Sequence, residues 1–174
     1  MKFDLAQGRL VLERTPATLR ALLQGIPDEW TRSNEGPDTW SPHEVVAHLI
    51  NGERTDWIPR ARLILAGDPR ATFVPFDRTG FFAEGRARPL PELLDLFAQL
   101  RAESLAALDG MRIGQRELNL TAQHPGLGQV TMRQLLASWV VHDLGHIVQV
   151  TRSMARQLRD EVGPWTAYMA VLGG

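Results

Sequence analysis

The sequence predicts an all-α protein built as a helix bundle, and three observations carry that reading. Two segments open with a complete capping box, Ser41-Pro42-His43-Glu44 and Thr131-Met132-Arg133-Gln134. Each is followed by apolar residues at helical rather than alternating spacing. Strand signals are thin along the chain, so four or five packed helices are left to bury the core.

Taken in order, the first helical region covers residues 4–23. Thr15-Pro16 is expected to interrupt it and recap its second half, which Gly25 ends. The Ser41 cap, with Pro42 at N1 and Glu44 at N3, starts a helix that keeps its period through Val45, Val46, His48, Leu49, Gly52, Thr55 and Asp56 to about Leu65. Pro59 should kink it, because proline removes one backbone bond and clashes with the preceding turn. A third helix spans residues 91–108, with Leu93, Leu94, Phe97, Leu105 and Leu108 on its buried stripe and Gly110 as its stop. The Thr131 cap opens the longest and most central helix, running to about Leu158 behind Leu135, Leu136, Trp139, Val140, Ile147, Val150 and Met154.

Two long connections remain, residues 68–88 and 111–130. Loops of that length in a small domain are uncommon and often functional. The first carries Phe73, Phe76, Phe81 and Phe82, which either pack across one end of the bundle or form a lid over a site.

The chain has 174 residues, 44% hydrophobic and 22% charged, and is read as a single globular domain over residues 1–174. Without cysteine, disulfides, thiolate metal sites and cysteine nucleophiles are excluded. A net charge of -1 gives no footprint for nucleic acid. Arg60, Arg62, Arg70, Arg78 and Arg86 do fall close together, but Asp56, Asp68, Asp77 and Glu84 are interspersed among them. No signal peptide and no run of roughly 20 apolar residues is present, so the expected location is the cytoplasm, with no membrane partner.

The chemistry concentrates in the histidines. His142 and His146 are four apart on the central helix, which places both rings on one face about a turn apart. Leu135, Ser138, Trp139, Gln149 and Val150 on that side read as interior, so the pair should point into the bundle. His48 lies on the other capped helix, and Gly52 one turn later removes a side chain where an ion or ligand needs room. One plus two neutral nitrogens would make a three-ligand divalent metal site with open positions, the arrangement of catalytic rather than closed structural sites. The bland alternative is that the histidines are satisfied core or surface residues. His43 is expected to be solvated, and His124, before Pro125, to be structural or to line a pocket mouth.

Residues 40–57, Trp40-Ser41-Pro42-His43-Glu44 through His48 and Gly52 to Trp57, resemble the second-helix signature of the DinB-like superfamily. His124-Pro125, Gly128, residues 131–136 and then Trp139, His142-Asp143-Leu144-Gly145-His146 and Gln149 resemble its last core helix, and Val162-Gly163-Pro164-Trp165 fits the close. The resemblance spans essentially the whole chain. It implies an up-down-down-up four-helix bundle, here with a short extra C-terminal helical segment, frequent homodimers, and a metal held by three histidines. Those map to His48, His142 and His146, the trio that spacing brings together. Members it resembles include thiol-dependent S-transferases and isomerases, metal-dependent hydrolases and many proteins of unknown activity.

The functional expectation is a metal-dependent enzyme acting on a small-molecule substrate, with a low-molecular-weight thiol as partner in the transferase case. Zinc, nickel and iron all suit imidazole. Acid, base or positioning candidates near the ligands are Glu53, Asp56, Asp143 and Gln149. The rival reading is non-catalytic: a metal-stabilised helical dimer or a ligand-binding bundle.

Overall fold

The computed structural model describes residues 1–77 and 79–172, with the backbone alone at Glu84; Arg78 of the arginine-rich stretch lies outside the described residues. In chain order the helices are α1 (Leu5–Leu23), α2 (Asp28–Arg32), α3 (Pro42–Thr55), α4 (Trp57–Leu65), α5 (Phe82–Ala87), α6 (Leu90–Gly110), α7 (Met132–Arg156) and α8 (Arg159–Val162). Strands β1 (Thr121–His124) and β2 (Gly128–Thr131) form an antiparallel hairpin just before α7. Short 3-10 turns, Gly163–Tyr168 and Ala170–Leu172, follow α8 as the C-terminal segment.

Four long elements make the bundle: α1, the α3–α4 pair, α6 and α7. Their directions follow from side-chain pairings. Arg9 and Arg20 of α1 bond Asp109 and Asp95 of α6, in reversed order, so these two helices are antiparallel. Arg133, at the start of α7, bonds the carbonyl of Phe3, just ahead of α1, and Gly8 of α1 lies against Val140, so α1 and α7 run together. Trp57 stacks on Trp139 while His48 meets His146, which makes α3–α4 antiparallel to α7. The result is up-down-down-up, with α1 and α3 on a diagonal of the bundle, each packed on α6 and α7.

The interior is divided. One apolar cluster gathers Leu12, Trp57, Ile64, Leu105, Leu136 and Trp139; a second gathers Leu19, Val46, Leu49, Leu94, Phe97 and Val150. Between them lies a buried polar layer centred on Arg101, Glu53 and Asp143. The histidines lie at the same level of the bundle.

Both capping boxes are present: Ser41 and Thr131 accept from the N3 backbone, and Glu44 and Gln134 reach back to the cap N–H groups. Other expectations need correction. α1 runs unbroken through Pro16. The proline leaves the carbonyl of Leu12, four residues earlier, without its helical donor, and Arg101 Nη1 donates to that oxygen at 2.7 Å.

Along α3–α4 the break falls at Asp56 (φ -111°, ψ -71°) rather than at Pro59. A proline conflicts with the carbonyl four residues before it, here Thr55, the last residue of α3. By breaking there, the chain places Pro59 in the first turn of α4, where a missing N–H costs nothing.

The connection before α7 holds the short hairpin, turned at Pro125-Gly126, with Thr72 bridging in parallel to Gln123. Of the four phenylalanines, Phe73 and Phe81 are buried in the two clusters, Phe82 packs partly buried against the second, and Phe76 lies with Phe81 against His48.

Candidate metal centre

The site begins with three local choices of backbone. The Ser41 capping box sets the start of α3, and so the face on which His48 lies two turns in. The Thr131 box does the same for His142 and His146 on α7. Because the two helices run antiparallel, the single histidine meets the pair.

The three Nε2 atoms converge. His48 Nε2 is 3.0 Å from His142 Nε2, and His142 Nε2 is 3.1 Å from His146 Nε2. All three ligand atoms lie within 4.8 Å of one another. Two nitrogens bound at ordinary metal–imidazole lengths lie about 2.8 to 3.4 Å apart between right-angle and tetrahedral geometries. Both of the separations from His142 fall in that range.

The donor set itself also fits a cation. A ring nitrogen offers one proton or one lone pair, so His142 Nε2 cannot make two full hydrogen bonds to the other two rings. His146 Nδ1 donates to Gln149 Oε1 at 2.8 Å, since an amide oxygen only accepts, and this leaves His146 Nε2 with its lone pair facing the cluster. Burial, reinforced by His142, pushes His146 down to about 4, so its ring is neutral at pH 7. These residues could hold a divalent ion.

Aromatic rings wall the cluster. Trp40 lies 4.6 Å from His48 between centroids and stacks over His146 at 6.1 Å; Trp57 sets its edge on His142 at 5.1 Å. Gly52 is where sequence placed it but serves another end: a Cβ there would come within 3.2 Å of Trp57 Nε1, so the glycine seats the indole beside the ligands. The histidines open into a cavity of about 490 Å³ that also reaches Asp56, Arg60, Phe76 and His124. They therefore face a pocket rather than a closed core, and Ser138 beside them on α7 is exposed instead of interior.

The four acid, base or positioning candidates separate. Glu53 and Asp143 are buried behind the site in the Arg101 network: Arg101 donates to Glu53 Oε1 through Nε at 3.0 Å and Nη2 at 2.7 Å, and to Asp143 through Nη1 at 2.6 Å and Nη2 at 3.1 Å. Burial pushes the Glu53 carboxyl up against the pull of Arg101. Burial acts upward on Asp143 as well, but His142, Arg101 and Thr15 outweigh it and hold that carboxyl below the usual range. Asp143 Oδ1 comes within 3.9 Å of His142 Nδ1. Asp56 lines the cavity and pairs with Arg60 at 2.6 Å, its carboxyl raised mainly by burial. Gln149 orients His146, as described.

His43 is not solvated. It is buried, and its Nε2–H donates to the Arg88 carbonyl at 3.0 Å. His124 does line the cavity, and its Nδ1 accepts from the Gly126 N–H at 3.1 Å, which puts the ring proton on Nε2.

Sequence reasoning missed Arg101, Trp40, Trp57 and Arg60. Arg101 did leave a signal, because it interrupts the apolar stripe of α6 between Phe97 and Leu105. A lone arginine there implies buried carboxylate partners.

A sequence profile of the DinB superfamily matches residues 11–150. Among solved structures, the chain is similar to YfiT from Bacillus subtilis, described as "a probable metal-dependent hydrolase with an unusual four-helix bundle topology". The TM-score is 0.77 at 21% sequence identity, covering 91% of this chain and 89% of that one. No curated protein matches the chain in sequence.

Proposed function

The chain belongs to the DinB superfamily, and we propose that it is a metal-dependent enzyme acting on a small molecule, with His48, His142 and His146 as the ligands of one divalent ion. The observation that carries this reading is the convergence of three Nε2 atoms from two antiparallel helices at the wall of an open cavity. Three neutral ligands leave positions for water or substrate, and zinc, nickel or iron would suit them.

When bound, the ion supplies Lewis acidity: it makes a coordinated water more acidic, or polarises a substrate carbonyl or thiol. The rest is the work of side chains. Gln149 fixes the His146 tautomer, Trp40 and Trp57 hold the ligand rings, and the Arg101 network anchors the helices behind them. Asp56, oriented by Arg60 and lining the cavity, is the group we assign to proton transfer.

Hydrolysis is the favoured reaction, on the likeness to YfiT. Thiol-dependent transfer is the second reading, drawn from the superfamily resemblance. Incubating metal-loaded protein with ester, amide and electrophile panels, with and without a low-molecular-weight thiol, separates them: hydrolysis proceeds without thiol and transfer does not. Metal content with no turnover on either panel would favour the non-catalytic reading.

We also infer a homodimer. Val141, Leu144 and Val148 form an apolar stripe along α7 at 67%, 47% and 58% exposure, on the longest helix of the bundle. No described helix is long and apolar enough to cross a membrane.

A further inference from the structure

We propose that the metal pocket is one half of a two-chamber substrate site, whose second chamber takes the apolar arm of an elongated substrate while its metal-binding head sits at the histidines. This deepens the metal-site reading and rests on it. The second chamber is a cavity of about 440 Å³. It shares Asp56, Trp57, Arg60 and His124 with the histidine cavity, so the two spaces meet at one wall.

The chambers differ in chemistry. Beyond the shared wall, the described lining of the second one carries no ionisable side chain: Phe73, Leu127, Val130 and Leu135 are apolar, and its polar members are Ser138, Gln129, which bonds Thr121, and Gln134, which is engaged in the α7 capping box. Phe73 and Leu135 form its buried floor, and Val130 of β2 its half-buried flank. Leu127, from the hairpin turn, stands at its rim with 75% of its surface exposed. An apolar arm lying in the cavity would cover part of that surface and gain from its burial.

The shared wall suits the joint of such a molecule. Asp56 and Arg60 neutralise each other there, which leaves His124 Nε2–H as a neutral donor whose tautomer is fixed by Gly126. An uncharged polar link, such as a carbonyl between head and arm, is what that donor accommodates. The substrate class is therefore an elongated acyl-type compound with an uncharged apolar arm, rather than a small polar metabolite.

The test uses zinc-loaded protein and straight-chain hydroxamates from acetohydroxamate to octanohydroxamate, with affinity measured by calorimetry. The hydroxamate head supplies metal affinity and the chain probes the second chamber. Each methylene buried should tighten binding about fourfold, and the longest probe should bind more than tenfold better than the shortest.

Ser138 lines the chamber from the exposed face of α7, and its hydroxyl bonds only carbonyls of its own helix, so Ser138→Trp should fill the space. That variant should leave acetohydroxamate binding unchanged and abolish the chain-length gain. Leu127→Ser, at the rim, should reduce the gain severalfold and carries the test alone if Ser138→Trp does not fold. A flat series with acetohydroxamate bound overturns the chamber and leaves the metal site standing. A gain untouched by both substitutions also overturns it. Absence of any hydroxamate binding overturns the metal-site reading and the chamber together.

Discussion

Arg101 Nη1 donates to the carbonyl of Leu12 at 2.7 Å, across the interface of α6 and α1. The oxygen is available because Pro16, four residues on, has no N–H to offer it. With two donations to Glu53 and two to Asp143, all five N–H groups of the guanidinium are placed. A proline that sequence reads as a helix break thus becomes part of a buried lattice joining α1, α3, α6 and α7. The metal ligands project from the last-named helix and from α3.

Arg101→Met should destabilise the fold by about 3 to 5 kcal/mol, because it leaves two buried carboxylates without their cation. Combining it with Glu53→Gln and Asp143→Asn should recover much of that loss, since the uncompensated charge is then gone. Urea denaturation of the single and triple variants measures both. A loss below about 1 kcal/mol in the single variant would show that the network does not hold the bundle.

His43 gives a pH dependence with a defined sign. Burial lowers its pKa in the folded state, against the pull of the bond to Arg88. The unfolded chain therefore takes up the proton first. The neutral ring's contribution to stability is complete above the unfolded value of about 6.5 and is lost as pH falls below it, at no more than about 1.4 kcal/mol per pH unit. His43→Gln, which keeps a donor for Arg88, should make the stability profile between pH 7 and 5 shallower, with the slope due to His146 remaining. Parallel profiles for the two proteins would contradict the assignment.

Gln149→Leu should weaken metal affinity about tenfold to a hundredfold while leaving the helix intact, because His146 loses the acceptor that fixes its tautomer. Gln149→Glu should restore affinity, since a carboxylate accepts the same proton. Competition with a chromogenic chelator reads both variants. Equal affinity in Gln149→Leu would remove Gln149 from the site.

Leu144→Glu places a charge in the middle of the exposed stripe of α7. If two copies meet there, sedimentation should show a dimer for the parent chain and a monomer for this variant at the same concentration. A parent chain that sediments as a monomer at all concentrations would end the dimer proposal.

Much of this molecule was legible in the sequence, and the particular residues say why. Ser41 with Glu44, and Thr131 with Gln134, are local devices that act within four residues, so the starts of α3 and α7 followed directly. His142 and His146 also share one helix, so their common face was a matter of period. The consequences of Pro16 and Pro59 were less accessible because they depend on distant groups. Arg101 lies 89 residues from the carbonyl that Pro16 releases. At Pro59 the chain moved the break to Asp56, and only the packing of Trp57 against Gly52 and Trp139 shows what that break positions.

His43 looked solvated from its place in a first turn, but the segment before α6 covers it. The β1–β2 hairpin was too short for alternation to register against its surroundings. Its turn, with His124 at one end and Leu127 at its tip, nevertheless forms part of the cavity wall.

The most direct test of the central claim is metal stoichiometry by elemental analysis on protein purified without a nickel column and equilibrated with zinc. One ion per chain is expected in the parent protein and in His43→Ala, and none in His142→Ala or His146→Ala. Loss of the ion in His43→Ala, or its retention in both of the other variants, would contradict that claim.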